Sequence, residues 1–181
     1  MSTDKQVSEL MSALYQRDRT RVDELLAEAP TLDLFECAAL GRTAELPDDA
    51  GVSDHASDGF TALHLACFFA HPETARELVA RGADVNAAAD NPSRVQPLHS
   101  AAAGKSAEIV ALLLDHGATP DARQHGGWTA LHAAAMNGDA QMARALLEHG
   151  ADPDLAADNG QTVRSIAEGK PELKELLDAS A

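Results

Sequence analysis

The sequence predicts an all-α solenoid of about six stacked helix pairs joined by short β-hairpin fingers. Three observations predict it. A six-residue phrase recurs as Thr61-Ala-Leu-His-Leu-Ala66, Gln96-Pro-Leu-His-Ser-Ala101 and Thr129-Ala-Leu-His-Ala-Ala134, the starts lying 35 and then 33 residues apart. A period of that length belongs to stacked supersecondary units. Each phrase is followed by an apolar stripe at helical spacing, clearest in Glu108-Ile-Val-Ala-Leu-Leu-Leu114 and Met142-Ala-Arg-Ala-Leu-Leu147. Each stripe runs into a glycine, Gly82, Gly117 or Gly150, where a helix can end in a left-handed residue.

Anchoring on the leucine of the phrase extends the pattern in both directions. At the N-terminus, Leu10 to Leu26 aligns with Leu131 to Leu147, so Val22, Leu25 and Leu26 match Ala143, Leu146 and Leu147. Residues 4–30 are therefore expected to form a helical capping pair. Residues 31–57 read as a degenerate repeat, with Leu34-Phe-Glu-Cys-Ala-Ala-Leu-Gly41 aligned to Leu63 through Ala70. Its second helix should be very short, because Leu46-Pro-Asp-Asp-Ala-Gly51 holds a proline and few apolar residues. Clear repeats span 58–90, 91–124 and 125–157. Residues 158–181 read as a shortened C-terminal cap, with Arg164 where the leucine is expected. The leucine positions are spaced by 24, 29, 35, 33 and 33 residues within one domain, 1–181, and the first spacing leaves no room for a full finger.

Individual positions carry clear physical duties. Thr61 and Thr129 can cap the first helix of their pair, their hydroxyls accepting an orphan backbone N–H. Leu63, Leu98 and Leu131 point into the core. Gly138 permits the tight turn between two helices. The polar and glycine residues that follow each stripe suit a turn into a protruding finger.

Taken in order and in register, these pieces resemble the ankyrin repeat family. The third copy carries the full pattern: Gly127-Trp-Thr-Ala-Leu-His-Ala-Ala-Ala-Met-Asn-Gly138, then Met142 to Leu147, then His149-Gly-Ala-Asp152. The second has Glu108 to Leu114 and His116-Gly-Ala118; the first has Glu77-Leu-Val79 and Arg81-Gly-Ala-Asp-Val-Asn86. The resemblance implies an ankyrin-like solenoid and a non-enzymatic module that binds a partner protein. It also implies a concave binding face built from finger tips and first helices.

Composition narrows the function classes. Of 181 residues, 45% are apolar and 3% aromatic, and the formal net charge is −15. Ala-rich helices suit close stacking. The acidity reads either as a polar, soluble outer face or as steering of a basic partner. Nucleic acid is not expected as a partner, since phosphate contact needs a basic stripe. The N-terminus has no apolar signal-peptide core, and no run of about 18 apolar residues occurs, so a cytoplasmic chain without membrane contact is expected. Cys37 and Cys67 sit in Ala-rich helical contexts as small apolar residues.

Eight histidines invite a metal or catalytic reading. His64, His99 and His132 belong to the motif, while His116 and His149 precede helix-end glycines. Their spacing sets them on successive layers, with no His-x₃-His or Cys-x₂-Cys pair. No metal, cofactor, small-molecule substrate or catalytic group is expected, and a monomer is the default.

Carried over residue by residue, the family's binding face includes Asp58, Phe60, Phe68 and Phe69 in the first clear copy. The second supplies Arg94, Val95 and Lys105. The third supplies Arg123, His125, Trp128, Met136 and Asn137. Phe60, Val95 and Trp128 each precede the first residue of their phrase, so stacked fingers would align them as an exposed apolar ridge. Phe68 and Phe69 read equally well as exposed or as packed between repeats. Arg94 and Lys105 replace glycines seen elsewhere as Gly59 and Gly138, a departure that reads as functional or as drift in a tolerant loop. With Arg123 and His125 they put positive charge on an acidic protein, which suits a partner with apolar anchors flanked by acidic groups. The alternative is a scaffold or inhibitory subunit that binds through its acidic outer face.

Overall fold

The computed structural model describes residues 7–28, 30–48 and 51–179. Among these, all regular structure is helical. The α-helices are five to nine residues long, too short to persist alone in water. Their stability must come from packing. Consecutive elements pack together: α1 (Glu9–Gln16) with α2 (Arg19–Ala27), and α3 (Leu34–Leu40) with a 3₁₀ turn at Thr43–Glu45. Then come α4 (Ala62–Phe68) with α5 (Pro72–Ala80), α6 (Pro97–Ala103) with α7 (Ala107–Asp115), α8 (Ala130–Asn137) with α9 (Ala140–Glu148), and α10 (Val163–Ala167) with α11 (Pro171–Ala179). Two layers result. First helices stack in the order α1, α3, α4, α6, α8, α10, and second helices in the order α5, α7, α9, α11.

The core is continuous along the stack, from Met11 to Leu177. Every leucine at the anchoring position is buried: Leu10, Leu34, Leu63, Leu98 and Leu131. Arg164, at the next such position, is held by Asp154 (2.8 Å) and Asp178 (3.6 Å) at the end of the stack. The second element of the pair begun by Leu34 is a single 3₁₀ turn. The proline at 47 and the polar residues after it supply no apolar stripe to extend it. One consequence lies upstream. With no full helix there to stack on, α2 contains no fully buried residue.

The motif threonines and histidines act together. Thr61 Oγ1 lies 2.8 Å from His64 Nδ1, and the Thr61 N–H donates to the same nitrogen at 3.2 Å. Thr129 and His132 repeat this at 2.8 and 3.3 Å. Since Nδ1 accepts, the ring proton sits on Nε2, which donates into the next finger: His64 to Val95 O at 3.0 Å, His99 to Ala122 O at 2.9 Å, and His132 to Gln161 O at 3.2 Å. Each histidine therefore ties its helix start to the following finger. In the second copy Gln96 stands where the others have threonine. Its Oε1 is buried without a hydrogen-bond partner, and an orphaned buried acceptor costs about 1–3 kcal/mol. Gln96→Thr is expected to raise stability by roughly 1 kcal/mol, read as a shifted urea midpoint at unchanged slope.

The fingers differ from expectation. They form no strands among the described residues. Where the arms pair as a bridge they do so at one residue, because the residue after the turn is already the helix cap. The turns close through Ala56 N–H to Phe60 O, Ala89 N–H to Val95 O and Ala157 N–H to Gln161 O, each 2.8 Å, and Gln124 N–H to Trp128 O at 3.0 Å. Isolated bridges pair His55 with Thr61 and Ala156 with Thr162. Neighbouring fingers are then joined through backbone: Asp90 N–H to Gly59 O (2.8 Å), His125 N–H to Ser93 O (3.0 Å) and Asp158 N–H to Gly126 O (2.9 Å).

Candidate functional site

The site residues begin with the turn that lacks glycine. Arg94 holds φ 49° and Lys105 holds φ 58°, in the left-handed region that Gly59 and Gly138 occupy at φ 84° and 71°. A side chain there costs about 1–2 kcal/mol, so both turns keep their shape at a conformational cost. Arg94 and Lys105 are exposed and make no ion pair among the described residues.

Arg123, expected to add positive charge to this face, is ion-paired. Its guanidinium donates to Ala156 O at 3.0 Å and to Asp158 Oδ1 at 3.3 Å in the next finger. Asp58 is also engaged: one carboxylate oxygen accepts from Phe60 N–H (3.1 Å) and the other from Tyr15 Oη–H (2.7 Å). Asn137 donates its side-chain amide to Ala102 O at 3.5 Å. His125 is exposed at its finger tip.

The aromatic residues do not form one exposed ridge. Phe60, Val95 and Trp128 are half-buried. Phe60 and Trp128 lean on the motif imidazole four residues on, with centroids 5.7 Å and 5.3 Å apart and Trp128 edge-on to His132. Each ring comes from the residue just before the helix cap and folds over the first turn of the helix, which partly shields it from water. Phe68 is exposed (39%), while Phe69 packs on the core. Met136 is the most exposed large apolar side chain among the described residues, at 60%.

These side chains surround two adjoining depressions. The first, about 300 Å³, is lined by Tyr15, Phe60, Leu65, Phe68, Val95 and Ala103 among others. The second, about 280 Å³, is lined by Trp128, Ala133 and Met136, and shares His99, Ala103 and Gln124 with the first. Burial drives the His64 pKa down to about 4 and lowers those of His99 and His132. The imidazoles beneath this face are thus neutral at pH 7.

Tyr15 escaped the sequence reading. It comes from the N-terminal pair, yet its ring lies 6.4 Å from Phe68 and 5.8 Å from Phe69. Burial and the nearby Asp58 carboxylate hold its phenol protonated far above the usual range. The available signal was only an aromatic at the end of an amphipathic helix.

Neither cysteine is poised as a nucleophile. Burial raises the thiol pKa values of Cys67 and Cys37, leaving both protonated at pH 7. Among the described residues no three His, Cys, Asp or Glu side chains gather as a metal site requires. None of the described helices is long and apolar enough to cross a membrane.

A family profile described as ankyrin repeats in three copies matches residues 10–124, 88–157 and 119–177. The chain belongs to the ankyrin repeat family. It is similar to human BCL-6 corepressor-like protein 1, with 34% identity over 46% of this chain and 5% of that protein. The Drosophila melanogaster Neurogenic locus Notch protein is 43% identical over 40% of this chain and 3% of its own length. Mouse Ankyrin repeat and SOCS box protein 16 is 37% identical over 48% of this chain and 20% of its own length. The chain thus matches only a small part of each relative. Ankyrin repeats generally mediate protein–protein interaction.

Proposed function

We propose that this ankyrin-repeat chain is a non-enzymatic module that holds a segment of a partner protein against its concave face. The observation that carries the reading is the pair of adjoining depressions, where the exposed side chains of Phe68 and Met136 lie beside half-buried Phe60, Val95 and Trp128. Exposed apolar groups gathered on one face favour a partner surface over water. The backbone bonds between fingers preorganise that face, which lowers the ordering cost of association. Neutral histidines beneath it add no charge to desolvate.

Capture from a lysate of the source cells tests the proposal. Phe68→Ser/Met136→Ser removes two large exposed apolar groups of this face without opening the core. Wild type is expected to retain a protein that this double variant, with unchanged circular dichroism, loses. Equal capture by both would move the interface to the acidic outer face.

A further inference from the structure

A third depression lies where the N-terminal pair meets the ends of α4 and α6. It measures about 710 Å³, and its walls include Tyr15, Phe68 and Phe69. Its floor is fixed. A Cβ on Gly104 would come within 2.5 Å of Cys67 O and 2.7 Å of Phe68 O, so α6 sits directly against the end of α4 there.

The rim has the opposite sign to the molecule. The chain carries a net charge of −15, yet among the described residues Arg17, Arg19 and Lys105 line this depression against one carboxylate, Asp23. Arg21, Arg42, Arg76, Arg81, Arg123 and Arg164 are all held in ion pairs. Among the described residues Arg17, Arg19 and Lys105 have none, as is true of Arg94, Arg144, Lys170 and Lys174, but these three alone gather around one depression. Two of the three also hold left-handed backbone, with φ 56° at Arg17 and 58° at Lys105. Gly41 and Gly138 show that glycine serves at the equivalent turns, with φ 71° at each. A cation at such a turn can also complement the helix C-terminus beside it, and that role would appear as stability.

We propose that this depression receives an acidic segment of a partner protein, with an aromatic or branched apolar side chain seated against Phe68 and Phe69 and its carboxylates facing Arg17, Arg19 and Lys105. The inference rests on the concave-face reading above and names the chemistry of its partner. Such a segment would satisfy three unpaired cations and cover Phe68 in one contact. A basic segment would meet repulsion at the rim. An uncharged one would leave the cations unpaired.

Panning a phage-displayed random peptide library on the full chain tests this. Enriched peptides are expected to carry Asp or Glu beside Phe, Trp or Leu, and to bind more weakly as salt is added. Arg17→Gly/Lys105→Gly should weaken the best synthetic peptide at least tenfold while leaving the melting temperature equal or higher. Arg144→Glu, exposed on α9, should leave its affinity within twofold. The proposal is overturned by no enrichment, by peptides without acidic bias, by affinity that ignores Arg17→Gly/Lys105→Gly, or by wild-type dimers that this variant abolishes. Loss of the lysate partner by Phe68→Ser/Met136→Ser but not by Arg17→Gly/Lys105→Gly would overturn this inference alone and leave the concave-face reading intact.

Discussion

Leu131→Ala is expected to lower the unfolding free energy by about 2–5 kcal/mol, the range for truncating a buried leucine that leaves a cavity. Leu131 is fully buried in α8, which packs on α6, α9 and α10. Two features favour the upper half of the range. The surrounding core is rich in alanine, including Ala101, Ala102, Ala130, Ala134 and Ala135, and alanines have no rotamers with which to fill a void. The helices are also short and tied to the fingers through His99 and His132, which limits collapse. A stack of neighbours unfolds as a unit only while its interfaces outweigh the cost of splitting. Weakening α8 should therefore lower the urea midpoint and also reduce the slope, as residues 125–179 begin to melt ahead of the rest. Urea titration followed by circular dichroism checks both. A loss below about 1 kcal/mol at unchanged slope would show that the site relaxes more freely than its packing suggests.

Periodic features were legible in the sequence; features that join distant layers were not. The leucine, threonine and histidine of each phrase repeat a local rule, so their burial and capping could be read from a single copy. The pairing of Arg123 with Asp158 spans 35 residues, and that of Tyr15 with Asp58 spans 43. Neither has a counterpart in every copy, so no repetition announces it. Trp128 failed differently. Its contact with His132 is local, but its place in a finger suggests exposure and gives no sign of the ring four residues on. The fingers were expected as hairpins because turn residues mark them, yet composition does not reveal that the arms, where bridged, pair at one residue. Arg94 and Lys105 could be located as departures from glycine. That Lys105 joins Arg17 and Arg19 depended on how the N-terminal pair folds back towards α4 and α6.

Acidification should destabilise the chain between pH 6.5 and 4, the window set by its buried motif imidazoles. Burial lowers the pKa of His64 from 6.5 to about 4, and the same cause lowers His99 and His132. In the unfolded chain these imidazoles regain ordinary values near 6.5. Between pH 6.5 and 4 the unfolded state therefore binds more protons than the folded one. Stability is then fully present above pH 6.5 and falls as pH drops through this window. For His64 alone the loss is about 2 kcal/mol at pH 5 and about 3 kcal/mol at pH 4, and His99 and His132 add in the same direction. Protonation would also put a charge on Nδ1 where it now accepts from Thr61, removing the link that holds the helix start. Two effects oppose this. His149, exposed beside Ala145 O and Asp115, is raised and gains from protonation, and a less negative chain repels itself less. Both act at the surface and are screened by salt. Urea titrations at pH 7.5, 6 and 5 in moderate salt should therefore show a steadily falling midpoint, and NMR should show His64 still neutral at pH 5.5 in the folded chain, with His99 and His132 titrating below the ordinary histidine range. Imidazoles that titrate near 6.5 in the folded protein, or a midpoint unchanged down to pH 5, would mean that these rings are hydrated and that the tie between helix starts and fingers is looser than the geometry indicates.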